Sequence, residues 1–208
     1  MSRVAAIDCG TNSIRLLIAD INGDNFQEIA REMEIVRLGQ GVDATGKFDP
    51  EAIERTLEAT RKYAEIIASK GVEKIRFCAT SATRDASNRD LFIDGIREIL
   101  GIEPEVIPGT EEAELSFIGA TKSLVHTESP YLVVDIGGGS TEFVLGKTEV
   151  EYAKSVNIGC VRMSERHLNK APQDPLAIQK AIQDIDEAVF YYFQNVIKPF
   201  VYQNGERR

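Results

Sequence analysis

The sequence of 208 residues contains no tryptophan, only three cysteines and only two histidines. Cys9, Cys78 and Cys160 are isolated and odd in number, which argues against disulfides or a zinc site and predicts buried thiols in a reducing compartment. His126 and His167 stand in no ligand pattern, so we expect surface or core roles for them. No apolar run is long enough to span a membrane, so we expect no membrane partner.

Positive charge is also in short supply. The chain has 24 lysines and arginines against 33 aspartates and glutamates, a net charge of −9, which argues against nucleic acid as the main partner. A polyanionic substrate is still compatible with this balance, because the local field of a cleft matters more than the total charge. The first residues run directly into a strand without a signal peptide, which together with the cysteine pattern predicts a cytoplasmic protein.

What the sequence does contain is the same turn twice. Residues 5–18 align without a gap on residues 132–145. Each copy is an apolar strand, an Asp-x-Gly-x-x-Ser turn and a second apolar strand. The duplication implies two related half-sites that face each other across a cleft, and phosphate chemistry is a natural use of such a cleft.

The turns suit an anion because of their glycines and hydroxyls. Gly10 can take a positive φ and allows the backbone to approach a ligand closely. Successive backbone N–H groups in such a turn form an anion-binding nest, to which hydroxyl and amide side chains add donors. The predicted phosphate-binding residues of the two turns are Gly10, Thr11, Asn12, Ser13, Gly137, Gly138, Gly139, Ser140 and Thr141.

The charged residues of the two copies differ. Asp8 and Asp135 would repel phosphate directly, so we expect them to hold Mg²⁺, or another divalent cation, or a water between themselves and the phosphate. Arg15 and Glu142 occupy equivalent positions with opposite charge, so one half could clamp phosphate while the other helps to hold metal or water. The alternative is two tight hairpins whose aspartates serve only the turns. A nucleophilic Cys9 has no nearby histidine or second cysteine to support it.

Strands and helices alternate along the chain, which predicts an α/β fold. An aspartate followed by proline marks two helix starts, at Asp49 and Asp174, and Gly71 is expected to end the first of these helices. The predicted strands are 3–8, 14–21, 26–38, 74–80, 105–107, a hairpin over 131–147, and 149–157. The other predicted helices are 88–100, 111–123 and 160–168. The repeat divides the chain into two lobes, 1–124 and a shorter 125–208.

Two further segments could complete the site. Arg84 follows a predicted strand, where ligands bind in open α/β sheets, and its guanidinium suits phosphate oxygens. A surface ion pair with Asp85 or Asp90 is the alternative. Glu112 lies near a helix start, where Thr110 is a good N-cap and an acidic residue suits the helix dipole. Beside a bound phosphate, however, the Glu112 carboxylate could orient or deprotonate an attacking water.

Five segments in order resemble the exopolyphosphatase / guanosine pentaphosphate phosphohydrolase (Ppx/GppA) family of the actin-like ATPase superfamily. Residues 6–17 and 133–142 look like its two phosphate loops, and 79–88 looks like its internal basic motif. Residues 108–113 look like its catalytic glutamate segment, and 157–162 look like the short motif after the second loop. The resemblance implies two ribonuclease H-like lobes with a cleft between them, and a cytoplasmic enzyme.

The resemblance also implies a function. Members use magnesium to remove the terminal phosphate of inorganic polyphosphate or the γ-phosphate of guanosine pentaphosphate. Glu112 matches the general base, Asp135 and Glu142 match acidic groups near the metal and the attacking water, and Arg15 and Arg84 match phosphate clamps. Members continue about as far again beyond this chain, so we expect an incomplete second lobe. Three explanations of the short lobe stay open: a fragment, a natural truncation, or a homodimer that completes the lobe. Two other functions also stay open: a non-catalytic phosphate- or alarmone-binding module, and an ATPase or sugar kinase of the superfamily.

Overall fold

The computed structural model describes residues 2–23, 25–122, 124, 130–172 and 174–199, and the predicted α/β class is confirmed. Five strands form the first sheet, in the order β3-β2-β1-β4-β5. They are β1 (Ser2–Cys9), β2 (Ser13–Asn22), β3 (Asn25–Ile35), β4 (Lys74–Ala79) and β5 (Glu105–Val106). The pairs β1–β2 and β2–β3 are antiparallel, whereas β4 is parallel to both β1 and β5. The first hairpin, β1–β2, therefore lies inside a mixed sheet.

Helices cover one face of this sheet. They are α1 (Val42–Thr45), α2 (Pro50–Lys70), α3 (Ser81–Asp85) and α4 (Arg89–Leu100). As predicted, the Asp49 side chain accepts a hydrogen bond from the Glu51 N–H at 2.7 Å, and α2 ends at Gly71 with φ 65°. Apolar side chains of α2 and α4 pack with those of β1, β2 and β4, and the Tyr63 hydroxyl donates to the Ile14 carbonyl at 3.0 Å. The short helices α1 and α3 were not predicted.

The second sheet is antiparallel and has three strands among the described residues, in the order β6-β7-β8. They are β6 (Tyr131–Ile136), β7 (Thr141–Gly146) and β8 (Val150–Val156). The remaining helices are α5 (Gly109–Thr121), α6 (Cys160–His167) and α7 (Pro175–Tyr192), which a π-helical turn (Phe193–Ile197) follows. The Asp174 side chain caps α7 as predicted, accepting from the Leu176 N–H at 2.9 Å.

Helix α5 connects the two sheets. It follows β5 of the first sheet, yet its buried residues Ala113 and Phe117 pack with Val144 of the second sheet. The boundary predicted between residues 124 and 125 adjoins residues 125–129, which lie outside the described part of the chain. That boundary stays a prediction.

Several local expectations were wrong. The third strand ends at Ile35, short of residue 38, because the next N–H groups, of Val36 and Arg37, donate to the Asn12 carbonyl at 3.1 and 2.9 Å and bend the chain. Helix α5 begins at Gly109 after Pro108, so Thr110 is not its N-cap.

The cysteine and membrane expectations can be compared with the structure as well. Cys9 is buried and Cys78 half-buried, but Cys160 is exposed, so the expectation of buried thiols fails for Cys160. None of the helices in the described ranges combines the length and the apolar character needed to cross a membrane.

Candidate functional site

The two sequence repeats fold into the same turn. The Gly10 N–H donates to the Ser13 carbonyl at 3.0 Å, and the Gly137 N–H donates to the Ser140 carbonyl at 2.9 Å. We call residues 10–13 the first loop and residues 137–140 the second loop. Each loop joins two antiparallel strands, which place Asp8 opposite Arg15 in one hairpin and Asp135 opposite Glu142 in the other. The repeat in the sequence is therefore a repeat in the structure.

Both loops line one cavity of about 190 Å³. The predicted site residues on its wall are Asp8, Gly10, Thr11, Asn12, Ser13, Arg15, Glu112, Asp135, Gly137, Gly138, Gly139, Ser140 and Glu142. Four residues that were not predicted as site residues also line it, namely Thr80, Ser81, Ile136 and Cys160. For Thr80 and Ser81 a signal existed, because they follow the carboxyl end of β4, where ligands bind in α/β sheets.

The loops touch each other at the floor of the cavity. A Cβ atom on Gly139 would lie only 2.6 Å from both the Thr11 Oγ1 and the Ser81 Oγ, so only glycine fits between these hydroxyls. The Thr11 hydroxyl is buried and has no hydrogen-bond partner among the described residues. A buried donor without a partner is costly, so this hydroxyl is suited to a polar ligand in the cavity.

Gly10 serves the first loop differently from our expectation. Its φ is not among the positive values found in the described chain, so a left-handed conformation is not the reason for glycine here. A Cβ atom on Gly10 would meet the Ser13 carbonyl oxygen at 3.6 Å and the Thr80 Oγ1 at 3.9 Å, which are ordinary contacts. The steric demand for glycine is therefore stronger in the second loop.

Two glutamates stand at the cavity in a poorly hydrated environment. Burial and the nearby Glu142 charge raise the pKa of Glu112 to about 7, although the hydrogen bond from Arg84 opposes the shift. Burial also raises the pKa of Glu142, against the hydrogen bonds that its carboxylate accepts from the Ser155 and Ser140 hydroxyls. A carboxyl group with a pKa near neutrality can both accept and return a proton at physiological pH.

Two aspartates complete the acidic group. The pKa of Asp8 is raised by partial loss of water and by the Asp135 charge, and Arg15, whose Nη1 lies 3.7 Å from the Asp8 Oδ2, opposes the shift. Because 53% of the Asp8 side chain is exposed, solvent screens this effect. The Asp135 carboxylate accepts a hydrogen bond from the Ser116 hydroxyl. Like charges in one cavity are unfavourable until a cation or a proton offsets them.

The acidic side chains of the cavity bear on the predicted Mg²⁺ site. In the described ranges, no three acidic, histidine or cysteine side chains come close enough to form a ready-made metal cage. Magnesium nevertheless binds through one or two carboxylates, with waters and substrate phosphates as its other ligands. Asp8 and Asp135 lie on the wall of one cavity and repel each other, so they fit that mode of binding.

Two predicted phosphate ligands lie elsewhere. The Thr141 hydroxyl is buried and donates to the Ile158 carbonyl at 2.6 Å, so Thr141 supports the loop from behind and does not line the cavity. Arg84 does not line it either, because its Nη1 donates to the Glu112 Oε2 at 2.8 Å and to the Ile107 carbonyl at 2.9 Å. The partner of Arg84 is thus neither Asp85 nor Asp90. As the protein stands, Arg84 holds Glu112.

The cysteine alternative loses support. Burial raises the pKa of the Cys9 thiol, and the Asp8 charge raises it further, so the thiolate that a nucleophile requires is disfavoured. Cys160 lies at the first turn of α6 and borders the cavity.

The chain is similar to proteins of a known family. The sequence matches the Ppx/GppA phosphatase family over residues 17–202. It is 53% identical over 181 residues to exopolyphosphatase 2 of Mycobacterium tuberculosis, covering 83% of this chain and 57% of that protein. It is 33% identical over 195 residues to a guanosine-5′-triphosphate,3′-diphosphate pyrophosphatase of Photobacterium profundum, covering 91% of this chain and 39% of that protein.

A solved structure is similar as well. The crystal structure of an exopolyphosphatase from Cytophaga hutchinsonii matches with a TM-score of 0.80 at 34% identity, covering 96% of this chain and 62% of that one. The chain thus spans 57% or less of the length of the two curated relatives described above.

Proposed function

Because this chain belongs to the Ppx/GppA phosphatase family, we propose that it is a magnesium-dependent hydrolase that releases the terminal phosphate of inorganic polyphosphate. One observation carries the proposal. Two matching loops face a single cavity, and Glu112, with a pKa of about 7, lies on its wall. Two relatives named for polyphosphate and for a guanosine polyphosphate support the substrate class.

The loops bind the terminal phosphate. Their backbone N–H groups and the hydroxyls of Thr11 and Ser13 supply hydrogen-bond donors that are uncharged and held in place by the fold. Arg15, exposed beside Asp8, supplies the cation that attracts and holds the phosphate oxygens. Positioning and charge neutralisation of this kind provide most of the catalysis in phosphoryl transfer.

Glu112 acts on the attacking water. Its carboxylate takes a proton as the water oxygen bonds to the terminal phosphorus, and the bond from phosphorus to the bridging oxygen breaks, which leaves a chain one phosphate shorter. Arg84 keeps one Glu112 oxygen in place at 2.8 Å, so the other oxygen can face the water. Bound magnesium, held by Asp8 and Asp135 with waters and substrate phosphate as its other ligands, would supply positive charge that offsets the charge developing on the phosphate oxygens.

A guanosine polyphosphate is a second candidate substrate. A larger cavity of about 590 Å³ adjoins the first, and the two share Asp8, Arg15, Thr80, Glu112 and Asp135. Its wall combines apolar side chains with arginines, namely Leu17, Met33 and Leu115 with Arg31 and Arg76. Such a surface could take a nucleoside next to the phosphates, in line with the activity for which the Photobacterium relative is named.

Phosphate release from medium-chain polyphosphate with magnesium tests the proposal, with wild type beside Glu112→Gln. We expect Glu112→Gln to lower the rate by roughly 10²–10⁴-fold, the range for loss of a general base. Glu114→Gln is the matched control, because Glu114 is exposed on the same helix and lies outside the cavity wall.

Other outcomes would redirect the proposal. A Glu112→Gln variant as fast as wild type would remove Glu112 from catalysis. Tight magnesium-dependent binding without release by wild type would make the chain a phosphate-binding module. Faster release from ATP than from polyphosphate would instead indicate an ATPase.

A further inference from the structure

We infer that Arg162 is a positioning residue, which fixes the backbone of the second loop for its anionic ligand by tying that loop to two helices beside the first sheet. The inference rests on the proposed function for the identity of the ligand. Arg162 lies on α6, within a segment that the sequence analysis singled out only by resemblance. Its side chain is largely buried, with only 12% of its surface exposed.

Helix α6 binds consecutive carbonyl groups of the second loop. The Cys160 N–H donates to the Gly137 carbonyl at 3.0 Å, and the Val161 N–H donates to the Gly138 carbonyl at 2.9 Å. The Arg162 Nε donates to the Gly139 carbonyl at 2.7 Å. In a trans peptide the N–H points opposite to the preceding carbonyl, so these contacts turn the N–H groups of residues 138–140 away from α6. Because the same residues line the cavity, these N–H groups are available to a ligand there.

The guanidinium then reaches the other half of the molecule. Its Nη1 donates to the Asp43 Oδ1 of α1 at 2.6 Å, and its Nη2 donates to the Asp85 Oδ2 at the end of α3 at 2.5 Å. Helix α3 also carries Arg84, which holds Glu112, so one side chain connects the second loop to the helix that positions the proposed base. Arginine suits this role because its planar fork binds several acceptors at once, which lysine cannot do.

The packing leaves the loop little room to shift. A Cβ atom on Gly159, just before α6, would lie 2.4 Å from the Gly138 carbonyl oxygen, so the two segments are in direct backbone contact. Hydrogen bonds from Arg166 and Arg162 hold the carboxylate of Asp43 in place and lower its pKa. The anchor of Arg162 is therefore ionised and fixed at neutral pH.

Arg166 provides a matched control on the same helix. It bonds the same Asp43 carboxylate, at 2.9 Å, and Asp184 at 2.8 Å, but neither bond involves the second loop. Arg166→Lys therefore weakens comparable hydrogen bonding between α6 and α1 without releasing the Gly139 carbonyl. A difference between Arg162→Lys and Arg166→Lys isolates the contact with the loop.

The first measurement is the affinity for a tripolyphosphate analogue with non-hydrolysable imido bridges, by calorimetry, for wild type, Arg162→Lys and Arg166→Lys at equal magnesium. We expect Arg162→Lys to bind about tenfold more weakly, because it loses about one charge-assisted hydrogen bond that positions the loop. We expect Arg166→Lys to bind nearly as wild type does. Equal affinities of all three proteins, or equal losses in the two variants, would overturn the inference.

The second measurement needs no ligand. Amide hydrogen exchange at Gly137, whose N–H closes the second loop by bonding the Ser140 carbonyl, should accelerate in Arg162→Lys and not in Arg166→Lys. If wild type fails to bind the tripolyphosphate analogue, the proposed function is wrong, and this exchange rate decides the positioning role by itself. Unchanged exchange at Gly137 in Arg162→Lys would then refute that role.

Discussion

The two hairpins have the same turn but different surroundings. In the first sheet, β1 is paired on both sides, by β2 and β4, and the residues of one face are buried under α2 and α4. In the second sheet, β6 is an edge strand among the described residues, and its Leu132, Val134 and Ile136 are exposed. The turn geometry is therefore a local property of the Asp-x-Gly-x-x-Ser sequence, whereas the support of each loop comes from distant packing.

The two hairpins also differ in the charges that face each other across their strands. Asp8 faces Arg15 across its strand pair, so the first hairpin partly neutralises itself. Asp135 faces Glu142, so the second hairpin places like charges side by side, and the Asp135 charge contributes to the raised pKa of Glu142. The first half is thus suited to holding an anion directly, and the second half to holding a cation or a proton.

The largest expected effect concerns the unequal cores. Phe92 is fully buried in the first core, with its ring 5.9 Å from that of Phe48 and 6.2 Å from that of Phe77. Phe117 of α5 is the large residue in a small core under the second sheet. Each Phe→Ala change should lower the free energy of unfolding by about 3–5 kcal/mol, the usual cost of such a cavity.

The region in which amide exchange becomes faster should differ between the two variants. Phe92→Ala is expected to speed amide exchange throughout the protein, because the first core is the larger one. Phe117→Ala is expected to speed exchange in β7 while the amides of β1 stay protected, since α5 mainly holds the second sheet. Uniform loss of protection in both variants would show that the sheets unfold as one unit.

A smaller effect is expected from alanine in the two loops. Gly139→Ala places a methyl group 2.6 Å from the hydroxyls of Thr11 and Ser81, so these side chains must move. The overpacking should lower the free energy of unfolding by about 1–3 kcal/mol, and the displaced hydroxyls should weaken binding of the tripolyphosphate analogue. Gly10→Ala should cost clearly less, because its nearest contact is 3.6 Å.

Calorimetric titration of both alanine variants, with thermal unfolding as a check on folding, measures this contrast. Equal losses of affinity in Gly10→Ala and Gly139→Ala would mean that the loops respond alike and that the close contact at Gly139 is not decisive.

The sequence predicted features whose causes are local. The aspartate caps at Asp49 and Asp174 were found because a cap needs only a side chain next to its own backbone. The duplicated turn was found because its aspartate, glycine and serine keep their spacing. Thr110 shows the limit of this reasoning, because a good capping residue one position inside α5 makes no cap when Pro108 sets the helix start.

Features that depend on distant packing were missed. Arg84 and Glu112 are 28 positions apart, and no periodicity indicates that β5 and α5 would bring them together. Thr141 belongs to the repeated motif, yet its hydroxyl is taken by the Ile158 carbonyl from the segment after β8. Arg162 was recognisable only as part of a motif, because its partners Asp43 and Asp85 lie more than seventy positions away.

The smallest expected effect is a pH dependence of stability that separates the acidic groups. Glu112 has a pKa raised to about 7 in the folded protein, against about 4.5 for an ordinary glutamate. Between these values the folded state binds more protons than the unfolded state, so the contribution of Glu112 to stability is complete below about pH 4.5 and is lost as pH rises through 7. We expect the free energy of unfolding to fall by about 1–2 kcal/mol over this interval, since one unit of pKa is worth about 1.4 kcal/mol and solvent reduces the effect at the Glu112 side chain, which is 21% exposed.

Urea denaturation at pH 5 and pH 8 measures this loss. Glu112→Gln should remove most of it, because glutamine does not titrate. Asp8→Asn, from the first hairpin, should leave most of it in place, because half of the Asp8 side chain is in solvent and Arg15 opposes its shift. If Asp8→Asn flattened the pH dependence as much as Glu112→Gln does, the acidic groups would titrate as one cluster. The proposed difference between an anion-holding first hairpin and a cation-holding second hairpin would then be wrong.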